Sequence, residues 1–567
     1  MKHHFLFIFY FSVLLSFSQE KYPKDYFRNP LGIPTVLSGT FGELRSNHFH
    51  SGVDIKTQGK EGLKIYAAAD GYVSRIKVSQ YGFGKALYVT HPNGYTTVYA
   101  HLSKYSKEIE AYVKKIQYKK ERYQTGNLFF KEDKFPVKKG EIIAFSGDTG
   151  SSGGPHLHYE IRNTKTENII NPLIFGLSPK DSKAPVFQSL KVYPLNNSSR
   201  INNQNKSFVL SLKNIAKGKY TADRISASGL IGFGISTFDR LDNAHNKNGI
   251  YSLEMLVNGK RFYYHTVETF SFAESKFINL HIDYQHYKKY KKKYQKTYKE
   301  TANKLKTYKN LINNGKLNIK NGLNYTIEII AKDYNGNTSS LKIPLVGKNS
   351  NAIFSTAKDT TNYKIIAKNF NKFKNKNVTI AFPKKTFYKD VYLDFKVEKG
   401  IAKIHTPTIP LDKSYTLTFN VSKYSEAEKQ QLYIANVEYV KYPRYQYTRK
   451  KDSTFYTTTK TLGKYTLKTD KIKPKIKLLY FKDKQWITKR KTIKVKISDI
   501  GSGIKNYRAT LDGKWILMEF NHKKGILTYN FSDKKLVGSK HIFKIVVSDN
   551  VGNTNNLSAS FFKKQVN

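Results

Sequence analysis

The run His156-Leu157-His158-Tyr159-Glu160-Ile161 alternates polar and apolar residues one for one. Successive side chains of a strand point to opposite faces. The run therefore predicts a strand with Leu157, Tyr159 and Ile161 turned to a core and His156 and His158 sharing the other face. Two histidines so placed crowd one point. One can bind a metal, while its neighbour, too close to share the same tetrahedral geometry comfortably, is left to serve substrate or water. The chain contains no cysteine. That excludes disulfides, thiolate metal sites and a lipid-bearing N-terminal cysteine, so any metal is held by His, Asp or Glu.

His50-Ser51-Gly52-Val53-Asp54 offers the missing ligands. A spacing of four suits one helix face, but Ser51-Gly52-Val53 is poor helix material, and Val53 and Ile55 flank Asp54 in alternation. An extended segment also brings residues four apart to one face. Two imidazoles and one carboxylate then form a three-ligand set, and catalytic zinc keeps a fourth position for water. His101, just after a strand expected near 95–100, is placed to reach the same mouth and donate to an oxyanion or orient the water. His48 and His91 are read as structural. The run Gly147-Asp-Thr-Gly-Ser-Ser-Gly-Gly154 lacks the Gly-Lys-Ser/Thr ending of a phosphate loop, which argues against nucleotide binding and for the wall of a peptide cleft.

Around these residues the pattern is β. Short Val-, Ile-, Tyr- and Thr-rich segments at 63–69, 72–78, 86–91, 95–100 and 142–146 are divided by Gly, Asn or Pro, with a hairpin signal at Pro92-Asn93-Gly94. Residues 103–135 read as a helix-and-loop insertion. The chemical domain spans 24–175. Beyond it, Asp181-Ser-Lys-Ala-Pro185 and Asp470-Lys-Ile-Lys-Pro474 open two β-like regions that close alike, on Asp333-Tyr-Asn-Gly-Asn-Thr338 and Asp549-Asn-Val-Gly-Asn-Thr554. The recurrence predicts two copies of an Ig-like β-sandwich at 185–346 and 474–562. The first carries an insertion at 283–314 with aromatic residues at helical spacing, expected to be an amphipathic helix packed on its own protein. Residues 347–470 read as a third β domain of unassigned topology. The Asp-rich turns could bind calcium but carry too few carboxylates for such a site.

Residues 1–18 read as a signal peptide: Lys2, an apolar run from Phe5 to Phe17 and Ser16-Phe17-Ser18 as a cleavage site. That run is too short to span a bilayer, and no later segment is apolar enough. An exported protein without a transmembrane anchor after signal removal is expected, periplasmic or extracellular and associated with the cell envelope. The formal net charge is +56, yet Lys is spread along the whole chain without a compact basic motif or an aromatic RNA-binding signature. A nucleic-acid partner is not expected, although such a charge favours contact with anionic surfaces.

Three blocks carry a resemblance: Arg45-Ser-Asn-His-Phe-His-Ser-Gly-Val-Asp54, Val98-Tyr-Ala-His-Leu102 and Gly147-Asp-Thr-Gly-Ser-Ser-Gly-Gly-Pro-His-Leu-His-Tyr-Glu-Ile-Arg162. In order and internal spacing they resemble the motifs of lysostaphin/LytM-type zinc metallopeptidases, over about residues 30–175. The resemblance implies a small antiparallel β fold with a substrate groove, one Zn2+, and endopeptidase action on the peptide cross-links of peptidoglycan. It implies His50, Asp54 and His158 as zinc ligands and His101 and His156 as catalytic histidines. Some relatives of this type have lost these residues and act only as activators of other wall hydrolases, so a non-catalytic wall-binding or hydrolase-activating protein is the alternative. Keeping all five residues favours the enzyme. A cupin-type site is disfavoured, because Glu160 follows His158 after a single residue. The long insertion after Leu102 departs from the pattern and bears on cleft shape and substrate range.

Overall fold

The computed structural model describes residues 22–349 and 360–564; the signal peptide expected at 1–18 lies outside them. The chain is mostly β and multi-modular. Its first domain is built from β1 (Leu37–Gly39), β2 (Val53–Lys56), β3 (Lys64–Tyr66), β4 (Gly71–Val78), β5 (Lys85–Thr90), β6 (Tyr95–Ala100), β7 (Lys104–Tyr105), α1 (Lys107–Lys120), β8 (Gly126–Phe129), β9 (Pro136–Val137), β10 (Ile142–Phe145), β11 (His156–Asn163) and β12 (Ile169–Ile170). The main sheet runs β1-β2-β11-β6-β5-β4-β8, and β3-β10-β7 form a second, small sheet. Every pairing along the main path is antiparallel. Gly94, at φ 83°, turns the hairpin between β5 and β6.

The alternation in β11 holds. Leu157, Tyr159 and Ile161 are fully buried in the domain core, and His158 lies opposite Asp54 on β2 and Ala100 on β6. Of the 103–135 insertion, α1 is the expected helix and buries Ile109, Val113 and Gln117. The part expected as loop contains β8, which pairs with β4 and covers the sheet's outer edge; an unpaired edge would present open backbone groups.

Residues 185–346 form a curled sheet around their own core. Its long strand Ile225–Phe238 pairs both with Val186–Pro194 and with Thr338–Gly347, so one sheet folds over on itself. The amphipathic helix expected over 283–314 is a correction. Helix covers only Tyr284–Tyr290 and ends at Lys291, whose φ is 61°. After it, Gln295–Lys296 pairs with Ile225–Phe238, and Tyr308–Lys309 pairs with Lys260–Thr266. Tyr294, Tyr298 and Leu305 are buried, but between strands. Tertiary packing of the aromatic rings overrides their helical spacing.

Residues 364–469 resolve the third β domain as two five-stranded sheets enclosing one core. The last module, 475–562, sets a four-stranded sheet against a five-stranded one. The domains do not stand apart. β12 pairs with Thr269–Phe270, and the first domain's core takes in Val267, Phe270, Phe277, Ile278 and Leu280 together with Leu517 of the last module. Among the described residues, no helix is long and apolar enough to cross a membrane.

Candidate metal centre

Three side chains converge, two from adjacent strands and one from the loop before β2. Asp54 Oδ1 lies 3.0 Å from His50 Nε2 and 2.9 Å from His158 Nδ1, and the two nitrogens are 3.2 Å apart. All three residues are buried. Asp54 sits on β2 and His158 directly across from it on β11. His50 precedes β2, and Gly52 between them is required: a Cβ there would meet the Tyr159 carbonyl oxygen at 2.3 Å.

Each of these side chains is oriented from behind. A carbonyl oxygen can only accept, so His50 Nδ1–H donates to Thr40 O (2.8 Å) and leaves Nε2 as the lone pair. His158 turns its Nε2 to Glu160 Oε1 (2.9 Å). Glu160 is fully buried and is gripped by Arg162, whose Nε donates to Oε2 at 2.7 Å. Burial alone raises the Glu160 carboxyl; Arg162 and His158 bring it down to about 2. Arg45 donates to the outer oxygen of Asp54 (3.2 Å) and also to Glu43.

The donor set fits zinc. Ligands at about 2.0–2.1 Å in a tetrahedron stand roughly 3.3 Å apart, close to the observed edges of 2.9–3.2 Å. The pocket also calls for positive charge. Burial opposes it, yet Asp54 and Glu160 together raise His158 to about 9. Asp54, despite burial, is held well below the usual carboxylate range by His50, His156 and His158.

The other two predicted residues stand beside this set. His156 Nδ1–H donates to Gly154 O (2.8 Å), and its Nε2 lies 3.5 Å from Asp54 Oδ1. His101 follows β6 at φ 61°, a left-handed conformation costly for a side-chain-bearing residue and frequent at working sites. Its Nδ1–H donates to Thr149 O (2.8 Å), and its ring meets that of His156 at 4.8 Å. Burial, then His158 and His156, lower His101 to about 3, so it is neutral near pH 7. The structure thus brings together all five residues singled out by the sequence. His48 is exposed. His91 is buried and doubly hydrogen-bonded to Asp70 O and Thr97 Oγ1, a structural role. Sequence reasoning missed Arg45, Glu160 and Arg162, although Glu160 and Arg162 continue the same face of β11.

The run 147–154 is indeed a wall of the site. Thr149 holds it to β5 through Lys85 N (3.0 Å) and to Leu102 O (2.9 Å). From outside, Lys523 of the last module donates to Asp148 O and to Ser152 O, and the His522 ring meets Tyr81. On the opposite side, Lys293 donates to Leu44 O, next to Arg45. The centre lies between two modules.

Residues 48–118 and 121–172 match the sequence family described as Peptidase family M23, and 362–470 match the Zu5-like domain. A DD-carboxypeptidase/endopeptidase, Mpg, of Neisseria meningitidis is 35% identical over 133 residues, 23% of this chain and 24% of that one. The peptidoglycan DD-endopeptidase ShyC of Vibrio cholerae is 30% identical over 177 residues, 30% and 31% of the two chains. The matches thus span about a quarter to a third of those relatives. Among solved structures, the catalytic domain of the prophage-encoded M23 protein EnpA from Enterococcus faecalis is 25% identical, covering 26% of this chain and 98% of that one with a TM-score of 0.20.

Proposed function

With residues 48–172 a peptidase domain of family M23, we propose that the chain is an exported zinc endopeptidase that hydrolyses peptide cross-links of peptidoglycan. One observation carries the metal assignment: His50 Nε2, Asp54 Oδ1 and His158 Nδ1 converge within 3.2 Å, with His50 and His158 each held from behind by a further hydrogen bond. Zinc held by these three atoms supplies a Lewis acid and makes water nucleophilic near neutral pH. The remaining chemistry belongs to the two histidines. His101, neutral and fixed through Nδ1, keeps Nε2 as a lone pair that accepts a proton from the attacking water. His156, fixed through Nδ1 to Gly154 O, presents Nε2 at the mouth of the ligand set. There it accepts a hydrogen bond from the attacking water and orients it, and the proton taken up by His101 Nε2 passes to the leaving amine. The wall substrate is supported by the relatives whose names carry DD-endopeptidase activity.

The test is zinc content measured alongside digestion of purified sacculi. The intact chain is expected to bind one zinc and release new muropeptide termini. His158→Ala loses both metal and activity. His156→Ala keeps most of the zinc while turnover falls by about 10²–10⁴. Zinc bound without cleavage of any wall type sinks the catalytic reading, and full activity in His156→Ala sinks the role given to that residue.

A further inference from the structure

The two recurring phrases gather carboxylates that their spacing hides. In the first module Asp181 from the opening phrase, Asp239 at the end of strand Ile225–Phe238 and Asp333 from the closing phrase bring ligand oxygens within 4.8 Å of one another. In the last module Asp470, Asp499 after strand Thr492–Ser498 and Asp549 do the same. The scaffolds correspond. Asn337 donates from Nδ2 to Asp181 O and Asp333 Oδ2, and Asn553 from Nδ2 to Asp470 O and Asp549 Oδ2.

The local hydrogen bonds do not exhaust the clusters. Asp239 is 2% exposed, and its Oδ1 has no partner. Asp181 and Asp499 are half-buried, and their Oδ2 and Oδ1 respectively have no partner. The chain carries 98 Lys and Arg against 42 Asp and Glu, yet among the described residues none of the six carboxylates is in an ion pair with Lys or Arg. Lys183, the cation Asp239 senses, turns instead to Leu241 O and Asp242. Burial and the neighbouring Asp333 and Asp181 push Asp239 up to about 7. Burial, opposed by Asn337 and reinforced by Asp181, pushes Asp333 up to about 6. Like charges held this close cannot all ionise without a counter-charge. The first cluster opens on a cavity of about 20 Å³, which is also lined by Leu37, Phe41 and Leu173 of the peptidase domain; that is room for one small occupant.

We propose that Asp181, Asp239 and Asp333 bind a calcium ion. Three hard oxygen donors from three separate segments suit Ca2+, whereas Mg2+ usually keeps several waters and takes only one or two carboxylates. The ion would sit where the first module meets the peptidase domain. It uses none of the zinc ligands, so the assignment stands apart from the proposed reaction.

The experiment is equilibrium dialysis of the zinc-loaded, full mature chain against radioactive calcium at about 1 mM, a concentration typical of extracellular sites, with equal magnesium as competitor. One calcium ion per chain is expected, and Asp239→Asn removes it. Because the change lowers like-charge repulsion, the variant in chelator should unfold at or above the temperature of the unaltered chain, and calcium should raise its midpoint less. An unaltered chain that retains no calcium, or retains it no better than magnesium, overturns the proposal. So does a stoichiometry that the substitution leaves unchanged.

Discussion

Glu160 does for His158 what Thr40 does for His50: it receives the ring N–H pointing away from Asp54 and so fixes which nitrogen faces the proposed zinc. The difference is charge. Glu160 is a buried carboxylate whose burial is tolerable only because Arg162 lies against it. Glu160→Gln keeps the shape and removes the charge. Zinc affinity, read by competition with a chelating dye, is expected to fall about 10–100-fold, with the fold retained. An affinity unchanged within twofold means that His158 is oriented by its Asp54 contact alone. The five histidine and aspartate positions were legible because strand alternation and three motif blocks converge on them. Glu160 and Arg162 lie on the same face and could have been read by the same period. Arg45 could not, because its approach to Asp54 depends on a loop between them that has no periodicity. The Asp181/Asp239/Asp333 triad was invisible for a related reason: each turn, counted locally, holds too few carboxylates, and the triad draws one residue from each of three distant segments.

At the scale of elements, β2 and β11 are the pair that sets ligand distances, and Gly52 lets them close. Gly52→Ala drives a methyl group into the Tyr159 carbonyl. Unfolding measured in denaturant is expected to cost about 1–3 kcal/mol, with weakened zinc binding as the strands separate. Within the first module, strand Lys260–Thr266 and helix Ile278–His281 press His265 and His281 together, rings 4.5 Å apart. Burial lowers His265 to about 3; burial and His265, with Lys296 adding, hold His281 well below its ordinary value. His281 Nδ1 meets the Tyr308 hydroxyl at 2.7 Å. The folded chain therefore binds fewer protons than the unfolded chain below about pH 6.5. Stability from this pair is complete above that pH and is lost as pH falls towards the folded values, by up to about 1.4 kcal/mol per unit per histidine. Denaturant midpoints in chelator between pH 7.5 and 5 should fall more steeply for the unaltered chain than for His265→Gln/His281→Gln. Parallel slopes would remove the pair as the cause. The strands of these modules were largely legible from alternation and turn residues. The supposed long helix was not, because the same spacing of tyrosines also serves irregular chain laid between strands.

At the scale of the whole molecule, the last module returns to the first domain. Lys85 on β5 is buried and paired with Glu519 at 3.0 Å, Lys114 on α1 meets Asp533 at 2.6 Å, and Arg508 reaches Glu121. Trp515 stands edge-on to Tyr118, and Leu517 enters the first domain's core. Burial opposes charge on Lys85, and Glu519 restores it. Glu519→Gln leaves a buried ammonium unmatched, at a cost of about 1–3 kcal/mol once the partial exposure of Glu519 is allowed for; Lys85→Met in the same chain should recover part of it. Limited proteolysis should cut the junction before residue 474 faster in the single variant than in the double one. No local pattern announces this return, because the contacts join residues several hundred positions apart. Its consequence is temporal. Chains are made from the N-terminus, so the five residues of the centre are complete long before Lys523 exists to brace Asp148 and Ser152. A chain that stops short of residue 523 carries all five residues and an unbraced wall, so a braced Asp148 and Ser152 mark a chain whose synthesis has passed that point.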